Sequence, residues 1–174
     1  MSILIFSAAF AISAADAPRV TRSLMVTAEK GMDERITQLW PDNGYALVGP
    51  TRGVYIPGYG VVLSAEYNVA TAQQTLGAQP LTVQGKADLR KKKVGRLPEL
   101  KAFLRSSLAA AANTFDMMPA SEQIVITLLL PRYSWEETSG FPAQLVAQGS
   151  RQQLLDANRA GAAALEQAVR MTEY

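Results

Sequence analysis

Apolar and polar residues alternate along the segment 61–69, with Val62 as the exception among the polar positions. The residues on one side are apolar: Val61, Leu63, Ala65, Tyr67 and Val69. Ser64, Glu66 and Asn68 alternate with them, and a period of two is typical of a half-buried strand. Before this segment, Pro57 and Gly58 suit a tight turn, because proline presets φ and glycine accepts a positive φ. The run 52–66 therefore predicts a β-hairpin.

Apolar residues at helical spacing predict three helices. The first covers residues 18–40, where Gly31 weakens the middle and allows two shorter helices instead. The second begins at Pro98, since proline fits the first position of a helix. The third follows a capping box that starts at Ser150, and Gly161 either splits this helix or ends its first half.

Further strands complete the predicted order of elements. The run 123–130 is apolar on both faces, which predicts a central strand covered on both sides or one deep in the core. Shorter strands are expected at 45–48 and 142–148. We expect one α+β domain over residues 16–174, with an antiparallel sheet of four to five strands and two to three packed helices. Residues 70–96, polar and then basic, are expected to form a long loop.

The N-terminal segment 1–15 contains no charged residue and is mostly apolar. It is too short for a bilayer-spanning helix, which needs about 20 residues. Small residues at 13–15 suit cleavage of a secretory signal after Ala15, although no lysine or arginine precedes the apolar run. We expect an exported protein, periplasmic or extracellular, with no transmembrane span after cleavage. The alternative is a buried first element of a cytoplasmic protein.

Composition narrows the possible chemistry. The chain has 174 residues, is 48% hydrophobic and carries a formal net charge of +2, so any strong attraction to an anion must come from a local patch. It has neither cysteine nor histidine. That absence excludes disulfides, thiolate nucleophiles and Ser-His-Asp triads within this chain, and nearly every catalytic zinc site. We expect no metal and no cofactor, and a binding protein rather than an enzyme.

Aromatic and cationic residues near the predicted turn suggest a binding surface. Arg52, Tyr55 and Tyr59 lie on the hairpin, and Trp135 lies in a polar loop after the apolar strand. Together they could line a shallow groove for a peptide or a sugar. Alternatively, the rings pack across strands, as we expect for Tyr67.

A basic cluster suggests a second candidate site. It comprises Arg90, Lys91, Lys92, Lys93 and Arg96, with Lys86, Lys101 and Arg105 nearby. Such a cluster can bind nucleic acid, an acidic glycan or lipid headgroups. We do not expect nucleic acid, because single-strand sites normally interleave stacking aromatics and only Phe103 falls close by. The alternative is an ordinary solvated loop and helix face.

Three carboxylates are the remaining candidates for chemistry. Glu136 and Glu137 are adjacent, and Glu66 lies on the predicted hairpin. Paired carboxylates can hydrolyse a glycoside or hold a hard metal ion. Their spacing specifies neither reaction, and adjacent glutamates in a polar loop are usually solvated.

The run 52–66, the sequence Leu97-Pro98-Glu99-Leu100 and the loop Tyr133-Ser134-Trp135-Glu136 are similar to an uncharacterised family of exported bacterial proteins. The resemblance covers about residues 45–160. It implies export and a single domain, and it brings no activity. The order of elements also resembles profilin-type and roadblock-type domains, an analogy that says little about function. We expect binding or assembly in the bacterial envelope, through an envelope protein or self-association.

Overall fold

The computed structural model describes residues 20–41, 47–71, 81–136 and 139–174. The elements, in chain order, are α1 (Arg22–Leu39), β1 (Leu47–Ile56), β2 (Gly60–Tyr67), α2 (Val83–Thr114), β3 (Gln123–Leu129), β4 (Gln144–Ser150), α3 (Arg151–Ala160), α4 (Ala162–Ala168) and β5 (Arg170–Glu173). They form one α+β arrangement, as predicted. Residues 1–15, the start of the strand expected at 45–48 and most of 70–80 lie outside the described residues.

The five strands form one sheet in the order β1-β2-β3-β4-β5. β1 and β2 are the predicted hairpin, and its turn places Gly58 at a φ of 80°. The sheet is mixed rather than wholly antiparallel, because β2 and β3 run parallel. A parallel pair needs a long crossover, and the segment that contains α2 provides it. The expected number of strands is therefore confirmed, with one pair in the other orientation.

The core lies between the sheet and the helices. Its largest fully buried aliphatic side chains are Ile36, Leu63, Leu100, Leu104, Leu108, Ile124, Ile126, Leu128 and Leu145. The apolar side of β2 is buried as the alternation predicts, and Tyr67 is fully buried among these residues. β3 is central, but its two faces differ, since Ile126 is buried whereas Leu129 is exposed. The face that carries Leu129 is open at that point.

α2 corrects the prediction of a loop over residues 70–96. The helix begins at Val83, where the side chain of Thr82 accepts a hydrogen bond from the N–H of Gly85, and it continues through Pro98. Proline removes one hydrogen bond from a helix interior and normally ends or kinks the helix. Contacts of Lys93 with Glu136 and of Arg90 with Ser139 hold the first half of α2 against the following loop and so stabilise the helix across Pro98. The first α2 boundary was therefore predicted wrongly.

Two carboxylates of α1 cover the outer edge of β1. Glu29 accepts a hydrogen bond of 2.9 Å from the N–H of Gly53, and Asp33 accepts one of 2.8 Å from the N–H of Thr51. Free N–H groups on an edge strand invite pairing with another chain, so these contacts block that edge. The absence of a side chain at Gly53 allows α1 to lie close to β1, because a Cβ there would lie 2.2 Å from Sδ of Met25.

The environment of Glu29 changes its ionisation. Burial by itself would raise the pKa of this carboxyl, but hydrogen bonds from Arg22 and from the N–H of Gly53, with the charges of Arg22 and Arg52, outweigh burial and lower the pKa. Arg22 makes two contacts, at 2.9 and 3.2 Å. Glu29 is therefore an ionised, hydrogen-bonded link between α1 and the hairpin.

The other helices follow the signals in the sequence. α1 continues through Gly31 as one helix, and Gly161, at a φ of 104°, separates α3 from α4. β1 contains two register shifts relative to β2, one between Leu47 and Gly49 and one between Gly49 and Arg52. β5 was not predicted. Within the described part of the chain, no helix is both long and apolar enough to cross a membrane.

Candidate functional site

Three hairpin residues were predicted to form one surface, but their side chains point in different directions. Tyr55 is half-buried against the core, and its hydroxyl lies 3.3 Å from a carboxylate oxygen of Glu122. Arg52 is exposed and pairs with Ser64, on the side of the sheet away from Leu63. Tyr59 is exposed in the turn. Because neighbouring residues of a strand alternate between faces, closeness in sequence did not bring these side chains together.

Trp135 lies at the other end of the sheet. The hairpin turn is beside the start of β3, where the N–H of Gln123 donates to the carbonyl of Tyr59 at 2.7 Å. Trp135 follows the far end of β3. A strand rises about 3.3 Å per residue, so the 7 residues of β3 separate the two regions by roughly 20 Å. The four residues predicted to share a groove therefore do not form one site.

The first half of α2 instead carries cations on the face that meets the described parts of the next loop, residues 131–136 and 139–141. Lys86, Arg90 and Lys93 extend the stripe that Leu97 continues toward the core, at spacings of four, three and four residues. Helical periodicity therefore directs these three side chains to one side. All three contact or line the space beside the loop.

Lys93 and Glu136 form a buried ion pair. Their side chains are 3% and 5% exposed. Nζ of Lys93 donates a hydrogen bond of 3.0 Å to Oε2 of Glu136, and Oε1 lies 2.8 Å away without the geometry of a hydrogen bond. Oε2 also accepts from the N–H of Tyr133 at 2.9 Å. The pair fixes the loop against α2, because neither charge can be left alone in this environment.

Beside Glu136 of this pair, the structure forms a small recess. Its lining residues are Lys86, Ala87, Arg90, Trp135 and Glu136, and its volume is about 220 Å³. The ring of Tyr133 stacks on Trp135 with centroids 5.2 Å apart, and Nζ of Lys86 lies 5.3 Å from the centroid of Trp135. Arg90 donates hydrogen bonds to the carbonyl and hydroxyl oxygens of Ser139. The indole and two cations therefore face one space.

An apolar cleft adjoins the recess along α2. It is lined by Ala87, Arg90, Lys91, Val94, Gly95, Ser139 and Gly140, and its volume is about 540 Å³. Ala87 and Arg90 border both spaces. We call the recess and the cleft together the α2–loop cleft. Its larger part is an open groove along α2 rather than an enclosed pocket.

The basic cluster is thus divided rather than forming one patch. Lys93 is buried, and Arg96 donates to the carbonyl of Val69 at 2.8 Å while lying 4.4 Å from the ring centroid of Trp40. Lys91 and Lys92 are exposed on the helix. The alternative of a solvated loop and helix face is also wrong for Lys93, which is 2% exposed.

The two candidate carboxylates that the structure describes, Glu66 and Glu136, do not converge. Glu66 is exposed on β2, on the face opposite Ala65 and Tyr67, whereas Glu136 is enclosed with Lys93. Glu137 lies outside the described residues. Among the residues that the structure describes, no group of three or more acidic side chains is placed to hold a metal ion.

Sequence reasoning missed Ala87, Val94, Gly95, Ser139 and Gly140 as site residues. A signal for the α2 residues of this set was present, because Lys86, Arg90 and Lys93 continue the helical spacing of Leu97 toward the N-terminus. That spacing indicates a helix that begins well before Pro98. Reading the helix as starting at Pro98 hid that continuity. Ser139 and Gly140 carried no comparable signal, because only the folded loop brings them to α2.

Comparison with known proteins found no matching family model, no similar curated protein and no similar solved structure. The function must therefore be argued from the chemistry of the cleft itself.

Proposed function

We propose that this chain is an exported, non-enzymatic binding protein of the bacterial envelope, whose α2–loop cleft takes an organic anion with an apolar chain. The observation that carries the proposal is the placement of Lys86 and Arg90, one helical turn apart, in a recess with Trp135 that adjoins an apolar cleft. A carboxylate fits between the two cations, and the apolar part extends along α2 past Val94.

The charge balance favours an anion. Lys86 and Arg90 line the recess with positive charge, and Glu136, the one carboxylate in its described lining, is paired with Lys93. The first turn of α2 contains no acidic residue, so the positive end of the helix dipole adds to the same field. Such a field attracts carboxylates and repels cations, and its strength falls with salt.

The shape of the site favours a chain rather than a polyanion. The larger cleft is bordered by Ala87, Val94 and two glycines, Gly95 and Gly140, which leave little side-chain bulk. Burial of apolar surface contributes about 25 cal/mol per Å². A ligand with one charged end and an apolar body therefore gains from both parts of the site.

Octanoate tests the proposal, with the fluorescence of Trp135 as the readout. Of the two tryptophans, Trp40 is buried against Tyr67 and lines neither the recess nor the cleft. We expect a saturable change that is lost in Trp135→Phe. Lys86→Gln is expected to weaken binding about 5-fold, which corresponds to roughly 1 kcal/mol for one charge-assisted contact at a partly exposed site.

Lys92→Gln is the matched control, because it removes the same charge from an exposed position of α2 that borders neither space. It should change octanoate affinity less than 2-fold, about what a screened distant charge contributes. Equal effects of the two variants would contradict a specific carboxylate position. Tight binding of a single-stranded oligonucleotide, with a steep dependence on salt, would favour the alternative of a nucleic-acid module instead.

The export part of the proposal rests on the uncharged apolar segment 1–15. Its test is the N-terminal mass of the protein recovered from an envelope fraction of the native host. We expect the mature chain to begin at Asp16. Recovery of a chain that retains residues 1–15 in the cytoplasmic fraction would contradict export and would leave the binding proposal unaffected.

A further inference from the structure

Among the described residues, only one face of the sheet packs against the helices. The core takes Leu63 from β2 and Ile126 from β3, together with side chains of the helices. Successive residues of a strand alternate between faces, so the residues between these point the other way. We call that side of the sheet the outer face. Its apolar members, none of which belongs to the core, are Val54, Ile56, Val62, Val125, Leu129 and Val146.

The outer face is more apolar than a solvated sheet face. A sheet that is covered on one side usually directs its polar residues toward water. Here Val54, Val62 and Val125 are paired side by side across three strands. Val125 is buried and Val62 half-buried, but Val54, Ile56 and Leu129 are 52%, 46% and 44% exposed. Apolar residues that adjoin one another at a surface, rather than lying scattered, mark an interaction site.

Two opposite charges lie beside this apolar row on the same face. Arg52 pairs with Ser64 of β2, and Glu66 follows two residues later. Both are exposed, and neither has a hydrogen bond or ion pair with another described residue. When a two-fold axis relates two copies, a contact of one residue with another is made twice. Arg52 of each copy can therefore pair with Glu66 of the other, which makes the face complementary to itself.

The area of the outer face is sufficient for a dimer. Five strands about 4.8 Å apart and about 7 residues long, at 3.3 Å per residue, span roughly 550 Å². Two stacked faces bury about 1,100 Å² in total, which exceeds the ~1,000 Å² expected of a biological interface. The edge of β1 is blocked by Glu29 and Asp33. A second copy therefore meets this hairpin on its face and not along its edge.

We infer that two copies of this chain form a symmetric dimer by stacking their outer faces, with Arg52 of each copy on Glu66 of the other. The two sheets then form a sandwich with apolar side chains between them. The buried area is at the low end for specific complexes, so the dimer dissociates on dilution. No residue that lines the α2–loop cleft lies on the outer face. The inference therefore does not depend on the proposed function.

Sedimentation equilibrium of the full chain tests the inference through charge reversal. Arg52→Glu and Glu66→Arg should each raise the dissociation constant of the dimer about 10-fold, because each variant opposes like charges twice. The double variant recreates the pair in reverse and should recover the original value to within about 3-fold. Lys30→Glu is the matched control at an exposed position of α1 and should have an effect of less than about 2-fold.

Val54→Lys tests the apolar row. A lysine in the contact between two sheets should abolish the dimer, whereas Val83→Lys, at the exposed first residue of α2, should leave it intact. Equal urea midpoints of the two variants verify folding, and if Val54→Lys does not fold, the charge reversals decide.

Three results would overturn the inference. The first is a chain that stays monomeric at every concentration. The second is a dimer that the single reversals leave unchanged or that the double variant does not recover. The third is a dimer that is lost when residues 1–15 are removed, because the contact would then belong to that segment.

Discussion

The buried pair of Lys93 and Glu136 allows a quantitative test of how α2 is stabilised across Pro98. At a separation of 2.8 Å, the attraction is about 6 kcal/mol with an effective dielectric constant of about 20. Burial costs several kcal/mol per ion, so the net contribution of the intact pair is small. Removing one partner leaves the other charge buried alone. We therefore expect Lys93→Met and Glu136→Gln each to destabilise the protein by about 3 kcal/mol.

The double variant separates the pair from its parts. Lys93→Met with Glu136→Gln removes both charges and keeps an oxygen that can accept from the N–H of Tyr133. We expect it to be only about 1–2 kcal/mol less stable than the unmodified protein, which gives a coupling of about 4–5 kcal/mol between the two positions. Urea denaturation at neutral pH measures each free energy of unfolding, provided that the m-values agree.

A second pair provides the control. Lys101 and Glu173 lie 2.6 Å apart with side chains 26% and 46% exposed, and they allow the same two substitutions. Exposed pairs contribute at most about 1 kcal/mol because water and salt screen them. A coupling for Lys93 and Glu136 no larger than that for Lys101 and Glu173 would refute the argument that the buried pair fixes the loop to α2.

Three further predictions concern other contacts. Glu29→Gln should lower the free energy of unfolding by about 1 kcal/mol at pH 7. Because folding lowers the pKa of Glu29, this difference, measured from urea midpoints, should shrink as the pH falls below about 4. A difference that stays constant with pH would contradict the prediction. Gly60→Ala should cost more than about 3 kcal/mol, because a Cβ would lie 1.9 Å from the carbonyl oxygen of Gln123, whereas Gly58→Ala, in open space, should cost about 1 kcal/mol; equal urea midpoints would argue against this close approach. Thr82→Ala should cost about 1 kcal/mol and reduce helical circular dichroism, and no change would place the start of α2 elsewhere.

Local patterns predicted most of the fold because they coincide with burial. The alternation along β2 and the leucine stripe after Leu97 are both enforced by contact with the core, so sequence and structure agree there. Pro98 led to a wrong start for α2, because proline favours the first position of a helix. That preference was given more weight than the packing of the residues before it. Tertiary contacts such as the one between Lys93 and Glu136 are formed by residues 43 positions apart, and no local pattern reports them.

The candidate site was predicted only in parts for the same reason. Trp135 and Arg90 were both predicted as binding residues, but on separate surfaces. The reason is that Trp135 lies in the loop after β3, whereas Arg90 was assigned to the loop expected at 70–96. Folding residues 83–96 into a helix places Arg90 on the side that faces Trp135. Tyr59 was grouped with Trp135 although β3 separates them. Strand order and direction decide such groupings, and neither is encoded in a short window of sequence.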